Sequence, residues 1–534
     1  MSTRLIVAAF WSVILVGIPF WWKTTEVYRA SLPFAEIDSW QTQQTHQLEF
    51  PLHFYIHTPR DLKADQLSQH LETTLQSEFA KLQTSGESSI HVESSLYDSD
   101  VPQDHLLEFH DNAPIGHYHI YVQPIDLITG YEYNATVGTG RTLILQVNKS
   151  TSDLESSIVG LVKGLFVQEY QFLDSIVRSG DNDNNDMRAM KYSKGYQITF
   201  SLMNGDPESV HVDWDIRDAI QSYLSPLLGE LSILSNFTVD SQIQHYASLS
   251  MKPQFRPRDG TAGYHYFDPE QLPHFVNSAD WNLASTISAH PTLNFLVYIP
   301  PLKERLWIHD SNGQRLRGNA FLIPRWGGVV IRNVPGLKQQ QQQQQQNQQV
   351  VHLDKQALKP AMATFVSQLR TLMGVQDAQT IKIPQKYNVT FLPAPRTGIT
   401  LMEKDALVRR RTAENIVNAA STLHSLAQLV EEIPNMVVLD HIGRLVRESL
   451  LALEHAREAL QRGDYEQAVA QSIDAIDLAE KAFFDPTMVS MLYFPDEHKY
   501  AIYMPLFVPI SVPLIMAVVK SKKTGGINNK EKQE

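Results

Sequence analysis

The distribution of apolar positions divides the chain into two uncharged ends and a long mixed interior. Residues 5–22 read LIVAAFWSVILVGIPFWW and residues 501–519 read AIYMPLFVPISVPLIMAVV, and neither run contains a charged side chain. A helix of either length spans about 27 Å, close to the hydrocarbon thickness of an endoplasmic reticulum membrane. The pattern therefore predicts a transmembrane helix at each end of the chain.

Each of the two runs has a second interpretation. The first run follows Arg4, as in a cleaved signal peptide, but it ends in two tryptophans and a lysine instead of a small-residue cleavage site. The second run, read as a buried core helix, would contain Pro505, Pro509 and Pro513, which soluble helices tolerate poorly. We therefore favour an uncleaved N-terminal anchor and a C-terminal spanning helix.

The charges beside the two runs orient the predicted helices. Five lysines and two glutamates follow residue 519, and the cytosolic flanks of membrane helices are enriched in Lys and Arg. This predicts a cytosolic tail at residues 520–534, a cytosolic N-terminus at residues 1–4 and an interior beyond the membrane. Lys530 and Lys532 form a K-x-K-x-x ending that resembles the dilysine retrieval signal of endoplasmic reticulum membrane proteins; a solvated charged tail is the alternative.

Periodicity divides the interior, which this topology places in the lumen, into three regions. Strand-like runs alternate with helical patterns over residues 23–250 and predict an α/β-layered domain. Residues 251–400 are strand-rich and contain a glutamine-rich loop at 339–349, whereas residues 401–490 carry the long apolar stripes of antiparallel helices. The predicted fold class is therefore α+β, flanked by two transmembrane helices.

Local signals predict where several helices begin and bend. The run from Ser152 to Glu155 has the spacing of a capping box and predicts a helix that continues to about residue 177. Thr400 and Glu403 form a second capping box ahead of the helical region. A further helix is predicted over residues 214–234, with a kink at Pro226.

Composition narrows the function. The chain has 58 acidic and 45 basic residues and a formal net charge of −13, which argues against a nucleic-acid partner because phosphate binding needs a basic surface. It has no cysteine, so it cannot form a disulfide, a cysteine-ligated metal site or a thiol nucleophile by itself.

Catalytic and metal-binding motifs are incomplete. The chain lacks the G-x-S-x-G, G-x-x-x-x-G-K-[ST] and H-E-x-x-H motifs. Asp181, Asp183 and Asn185 imitate the start of a calcium loop, but the required later glycine and glutamate are missing. His117 and His119 share one face of a strand, yet no third ligand accompanies them. We therefore predict no catalytic residue, metal or cofactor, while a pair of catalytic carboxylates remains open.

Four N-x-[ST] sequons lie in the predicted lumenal interior, where N-glycosylation would occur. The acceptor residues are Asn134, Asn148, Asn236 and Asn388.

Five stretches of the chain, in this order, are similar to the phosphatidylinositol-glycan class S (PIG-S) family of GPI transamidase subunits. They are IPFWWKTTEVYRASLP at 18–33, LSNFTVDSQIQHYA at 234–247, LNFLVYIP at 293–300, AFLIPRWGG at 320–328 and AEKAFFDPTMVSMLYFPDEHKYAIYMP at 479–505. The glutamine tract departs from the family pattern and indicates a lineage-specific insertion.

This resemblance implies a function. The family's enzyme removes a C-terminal hydrophobic signal from a lumenal protein and joins the new carboxyl end to a GPI lipid, using a cysteine on a separate caspase-like subunit. The resemblance therefore implies a non-catalytic structural subunit in the endoplasmic reticulum membrane, with the other transamidase subunits as partners. Asn236 lies inside a matched stretch and is the first candidate for a glycan.

Two other functions stay open at the level of sequence. One is a self-sufficient lumenal hydrolase that uses two carboxylates. The other is a lumenal binding module or chaperone that acts through an acidic surface.

Overall fold

The computed structural model describes most of the interior and only scattered positions at the two ends. Described continuously are residues 28–59, 67–81, 89–97, 102–108, 112–125, 131–148, 153–179, 189–258, 261–276, 290–335, 349–433 and 436–491. Residues 281 and 283 and scattered positions within 9–23 and 501–519 complete the set. The predicted cytosolic tail with Lys530 and Lys532, residues 1–4, the acidic linker at 181–186 and the glutamine tract up to residue 348 lie outside the described residues.

The described residues combine helices and strands, so the α+β prediction is confirmed. The strands are β1 (Leu52–Pro59), β2 (Ile90–Tyr97), β3 (His117–Ile125), β4 (Tyr133–Val137), β5 (Thr142–Asn148), β6 (Gly195–Asn204), β7 (Val210–Trp214), β8 (Asn236–His245), β9 (Gln254–Arg258), β10 (Thr261–Phe267), β11 (Thr292–Ile299), β12 (Leu306–Ile308), β13 (Ala320–Ile323), β14 (Gly327–Ile331), β15 (Gln349–Leu353) and β16 (Tyr387–Phe391). The α-helices are α1 (Phe34–Ser39), α2 (Leu67–Ala80), α3 (Gln103–Glu108), α4 (Leu154–Ser179), α5 (Ile216–Ala219), α6 (Ser225–Leu231), α7 (Lys355–Leu372), α8 (Leu401–Glu432), α9 (Asp440–Gln461), α10 (Tyr465–Phe483) and α11 (Pro486–Met491).

A six-stranded sheet with the order β16-β4-β5-β3-β1-β2 forms the first core. All of its neighbouring strands are parallel except β4 and β5. Alternate residues of β1 point to the side that α2 and α4 cover, where Phe54 meets Phe166 edge-on at 5.4 Å. The apolar face of α2 packs on the same side, with Phe79 against Tyr170.

A five-stranded sheet with the order β13-β14-β11-β6-β8 forms a second layer. It joins strands from both sides of residue 250, because β6 pairs with β11 along eight residues in parallel register. Gly327 opens β14 with φ +155°, and a Cβ there would lie 1.8 Å from the carbonyl oxygen of Asn294. Only glycine therefore permits β14 to approach β11 this closely.

The predicted helix over residues 214–234 is divided before its proline. α5 leads into a π-helical turn at Ile220–Leu224, and α6 then starts with Pro226 in its first turn. Proline is tolerated there because the first amides of a helix have no intrahelical acceptor. The sequence predicted a kink at Pro226; the structure has instead a π-helical turn that ends ahead of that residue.

The predicted helical region consists of α8, α9 and α10. Its capping box is confirmed, because the Glu403 amide donates to Thr400 Oγ1 at 3.3 Å while the Thr400 amide donates to Glu403 Oε2 at 3.0 Å. The other predicted helix start differs slightly: the Ser156 amide donates to Asp153 Oδ1, which makes Asp153 the capping residue of α4.

The chain forms two compact units. One consists of Thr42–Asn418 and Ala452–Ala475 and contains all sixteen strands of the described residues. The other consists of Met1–Gln41, Ala419–Leu451 and Ile476–Glu534. Within this second unit the Ala30 amide donates to the Val438 carbonyl at 2.8 Å, the Tyr28 hydroxyl donates to Asp440 at 2.6 Å, and His441 contacts Asp485 at 2.8 Å.

Among the described residues, no helix is both long and apolar enough to cross a bilayer. The positions described within the predicted spans at 5–22 and 501–519 lie on helical backbone, and the remaining positions of both spans lie outside the described residues.

Within the strand-containing unit, a buried ionic network fixes the start of α8 against the six-stranded sheet and α4. Arg141 Nε and Nη2 donate to the two carboxylate oxygens of Asp405 at 2.7 and 2.6 Å. Arg409, one turn further along α8, donates to both carboxylate oxygens of Glu169 on α4 at 2.5 and 2.9 Å. Asp405 and Arg409 have no solvent exposure, and Arg141 is 6% exposed.

Tyr118 on β3 joins the two ion pairs. Its hydroxyl donates to Asp405 Oδ2 at 3.2 Å and accepts from Arg409 Nη1 at 2.9 Å. Burial raises the pKa of Tyr118 well above its usual value, so the phenol keeps the proton that it donates. We call Arg141, Asp405, Tyr118, Arg409 and Glu169 the anchor network.

We predict that Asp405→Ala lowers the free energy of unfolding by about 3–5 kcal/mol, because it leaves the buried Arg141 charge without a partner. Urea unfolding of the purified full chain measures this change. Arg444→Ala is the control, since the Arg444–Glu448 pair is exposed and such pairs contribute about 0–1 kcal/mol. Equal losses in the two variants would contradict the role of the anchor network.

Candidate functional site

One face of the six-stranded sheet carries a cluster of imidazole and phenol rings. Parallel register places their residues in three cross-strand rows on β2, β1 and β3. The rows are His91–His53–His117, Glu93–Tyr55–His119 and Ser95–His57–Tyr121. We call this cluster the histidine face.

The rings of the histidine face contact one another directly. His53 stacks on His117 and on His91 with ring centroids 4.4 and 4.7 Å apart. His57 Nε2 lies 2.9 Å from His119 Nδ1, and His57 Nδ1 lies 2.6 Å from Ser95 Oγ. These contacts hold the rings upright on the sheet.

Two imidazoles of the histidine face, His53 and His117, favour the neutral form. Partial burial, with further contributions from His117 and His91, lowers the pKa of His53 to about 4. Burial is also the main cause that lowers the pKa of His117, and the nearby Arg141 adds to it. Neutral imidazole is the form that binds metals, but the described residues contain no group of three or more His, Asp or Glu side chains placed to hold a metal ion.

Sequence reasoning identified only part of this face. His117 and His119 do share one face of β3, as predicted, and they pack against rings of β1. His53 and His57 were missed, although the alternation LHFYIH on β1 carries a readable signal: its polar rings occupy every second position. The pairing of β1 with β3, which brings the two sets together, joins segments more than 60 residues apart and has no local signature.

A cavity of about 270 Å³ lies in the same unit between α4 and the start of α8. Its walls are largely apolar and include Leu165, Phe391 and Met402. Its two glutamates, Glu169 and Glu403, are each bound by an arginine. Each of these two carboxylates is therefore engaged in an ion pair.

The pKa of Glu403 reflects its ion pair with Arg370. Burial alone would raise its pKa, but hydrogen bonds from Arg370 Nη1 and Nη2 at 3.0 and 2.7 Å and from the Thr400 amide hold the pKa below its usual value. A carboxylate hydrolase needs an acid with a raised pKa. Glu403 therefore does not have the raised pKa of such an acid; the third carboxylate on the cavity lining, Asp377, accepts a hydrogen bond from the Gln379 backbone amide at 3.0 Å.

The four predicted glycosylation residues all lie on strands. Asn236 begins β8 and is exposed, and Asn388 on β16 is also exposed. Asn134 on β4 is partly buried, and its side-chain oxygen accepts a 3.3 Å hydrogen bond from the side-chain amide of Asn388. Asn148 ends β5 and is partly buried.

The lowered pKa of His53 predicts a pH-dependent contribution to stability. Its unfolded form binds a proton near pH 6.5 while the folded form resists protonation down to about pH 4, so this contribution is complete above 6.5 and is lost as the pH falls towards 4. We predict that His53→Phe, which keeps a stacked ring, makes stability fall less steeply across this interval.

Urea unfolding at a series of pH values checks this prediction. His70→Phe is the control because the His70 side chain is 72% exposed, and it is expected to change the slope less. A His53→Phe slope equal to that of the unmodified chain would contradict the assigned pKa.

Comparison with known proteins places the chain in a family. The family model described as phosphatidylinositol-glycan biosynthesis class S protein matches residues 8–524. The chain is 32% identical to the GPI-anchor transamidase component PIGS of Rattus norvegicus over 533 residues, which covers 95% of this chain and 92% of that protein. It is 32% identical to the Homo sapiens component of the same name over 530 residues, with the same coverage. It is 27% identical over 530 residues to the GPI transamidase component PIG-S homolog of Schizosaccharomyces pombe, covering 97% and 84% of the two chains. A match that extends from one end of the chain to the other shows that it belongs to the PIG-S family.

Proposed function

We propose that this chain is a non-catalytic subunit of the GPI transamidase that supports the attachment of GPI anchors to proteins in the endoplasmic reticulum. The observation that carries this proposal is the match, over 95% of the chain, to relatives named as components of that enzyme. Because the chain has no cysteine, a cysteine nucleophile for the reaction has to come from another subunit.

The anchor network suits a supporting role. It ties the start of α8 to β3, β5 and α4 through charges that cannot separate without leaving a buried ion unpaired. A rigid lumenal body of this kind can hold neighbouring subunits in a fixed arrangement. The two glutamates of the cavity beside it are each paired with an arginine.

Two membrane spans remain part of the proposal. Phe10, Val13 and Phe20 near the N-terminus and Ile502 and Met516 near the C-terminus are each more than half exposed on helical backbone. Exposed apolar side chains at this density are favourable in lipid and unfavourable in water. With the lysine-rich tail, they support spans at 5–22 and 501–519, cytosolic termini and a retrieval signal at Lys530 and Lys532.

Deletion of the gene is expected to remove GPI-anchored proteins from the cell surface while other secretory cargo still arrives. Flow cytometry of one GPI-anchored reporter and one transmembrane reporter measures the difference. The full chain restores display of the first reporter, and affinity capture of that chain in mild detergent recovers the other transamidase subunits. Unimpaired GPI-anchored display in the deletion, or capture without any of those subunits, would contradict the proposal.

The rival functions give different results in the same cells. A general lumenal chaperone or binding module would be needed by both reporters. Replacing its acids would inactivate a self-sufficient hydrolase. The proposal expects instead that Glu403→Gln lowers the amount of folded chain, while the chains that do fold still restore display of the GPI-anchored reporter.

Glycosylation tests the lumenal placement of the interior. We expect Asn236→Gln to increase electrophoretic mobility by one glycan, because the Asn236 side chain is exposed on the predicted lumenal side. Asn134, Asn148 and Asn388 are further candidate sites, tested by the same substitution. Enzymatic removal of glycans should bring every variant to one mobility. A chain in which none of the four sequons carries a glycan would contradict the prediction.

A further inference from the structure

At one edge of the five-stranded sheet, β8 has no further strand beside it among the described residues. All ten residues of β8 pair with β6 in continuous parallel register, and β8 is the last strand in the order of that sheet. The Asn236 amide donates to the Lys194 carbonyl on the β6 side. Since the backbone groups of successive residues in a parallel strand point alternately to either neighbour, residues 237, 239, 241, 243 and 245 direct their N–H and C=O groups outwards.

This edge lacks the features that usually prevent strand addition. Its sequence NFTVDSQIQH contains no proline, lysine or arginine, and its register with β6 has no bulge. Its single acid, Asp240, accepts a 2.6 Å hydrogen bond from Gln197. Two other edge strands do carry such features: β13 has only four residues, and β9 carries Arg256, Pro257 and Arg258.

We propose that β8 is a docking edge on which an extended, uncharged segment of another transamidase subunit adds as a further strand; this inference rests on the proposed function. Unpaired backbone groups along one line are satisfied by an extended backbone, which identifies the kind of partner. β8 carries one acidic side chain, Asp240, and no lysine or arginine, so its side chains offer little charge for ion pairs with a partner strand.

The side chains of β8 fit such a partner. Ile243 is 40% exposed, and Tyr246, directly after the strand, is 67% exposed. Both offer apolar surface to the flanks of an added strand, while the hydroxyl and amide groups of the middle residues are compatible with a neutral partner. Asn236 lies at the first residue of the strand, so a glycan there leaves residues 239–245 accessible.

The cysteine-free sequence provides a direct test. Ser241→Cys introduces a unique thiol at the middle of the outward-facing series, and Ser232→Cys gives an exposed control thiol beyond α6. In the detergent-solubilised assembly we expect maleimide labelling at residue 241 to be lost while labelling at 232 persists. A short bifunctional thiol reagent should join residue 241 to a residue of another subunit, identified by mass spectrometry.

Proline substitution tests the backbone contribution. Ser241→Pro removes an outward N–H group and leaves the hydrogen bonds to β6 in place, whereas Ser241→Ala removes only the hydroxyl. We expect Ser241→Pro to lose the cross-linked subunit on affinity capture and Ser241→Ala to retain it, with little effect of moderate salt on the latter.

The outcomes separate this inference from the proposed function. Capture without any transamidase subunit would contradict the proposed function. Capture of the usual subunits with residue 241 fully labelled, and with Ser241→Pro retaining all of them, would overturn only the docking edge. A cross-link from residue 241 to a second copy of this chain, or to another part of the same chain, would also overturn it.

Discussion

The anchor network is the interaction on which the strand-containing unit most depends. Leu407 and Val408 bury apolar surface near the start of α8, but apolar contacts are not directional and leave the helix free to shift along its neighbours. Asp405 and Arg409 remove this freedom, because each charge is fully buried and has one arrangement of partners that satisfies it. Removing one partner of either pair would leave an unpaired ion in the core. This costs more free energy than the intact pair contributes.

The sequence predicts local structure where the spacing of nearby residues determines it. The capping box at Thr400 and Glu403, the stripe of α2 and the apolar runs of β6 and β11 follow from spacing along the chain. The sheet orders did not follow, because β16 pairs with β4 across some 250 residues and β6 pairs with β11 across the predicted boundary near residue 250. The pairing of Arg141 with Asp405 could not be predicted either, because in the sequence two residues of a buried ion pair cannot be distinguished from two surface charges.

The functional reading depends on the whole chain more than on any one site. The histidine face contains mutually stacked rings without a metal-binding cluster among the described residues, and the apolar cavity contains two glutamates that are already paired. What the described residues do offer is a buried ionic network and, at β8, an edge strand of the five-stranded sheet, and these features suit a protein that organises neighbours.

Purified transamidase activity tests this account most directly. The full chain alone, and an assembly prepared without it, are each given a substrate protein with a C-terminal GPI-attachment signal and a small amine acceptor, and release of the signal peptide is measured. The account predicts no release by the chain alone, little by the incomplete assembly, and recovery when the two are combined. Release by the chain alone, or full release by the assembly that lacks it, would contradict a supporting role.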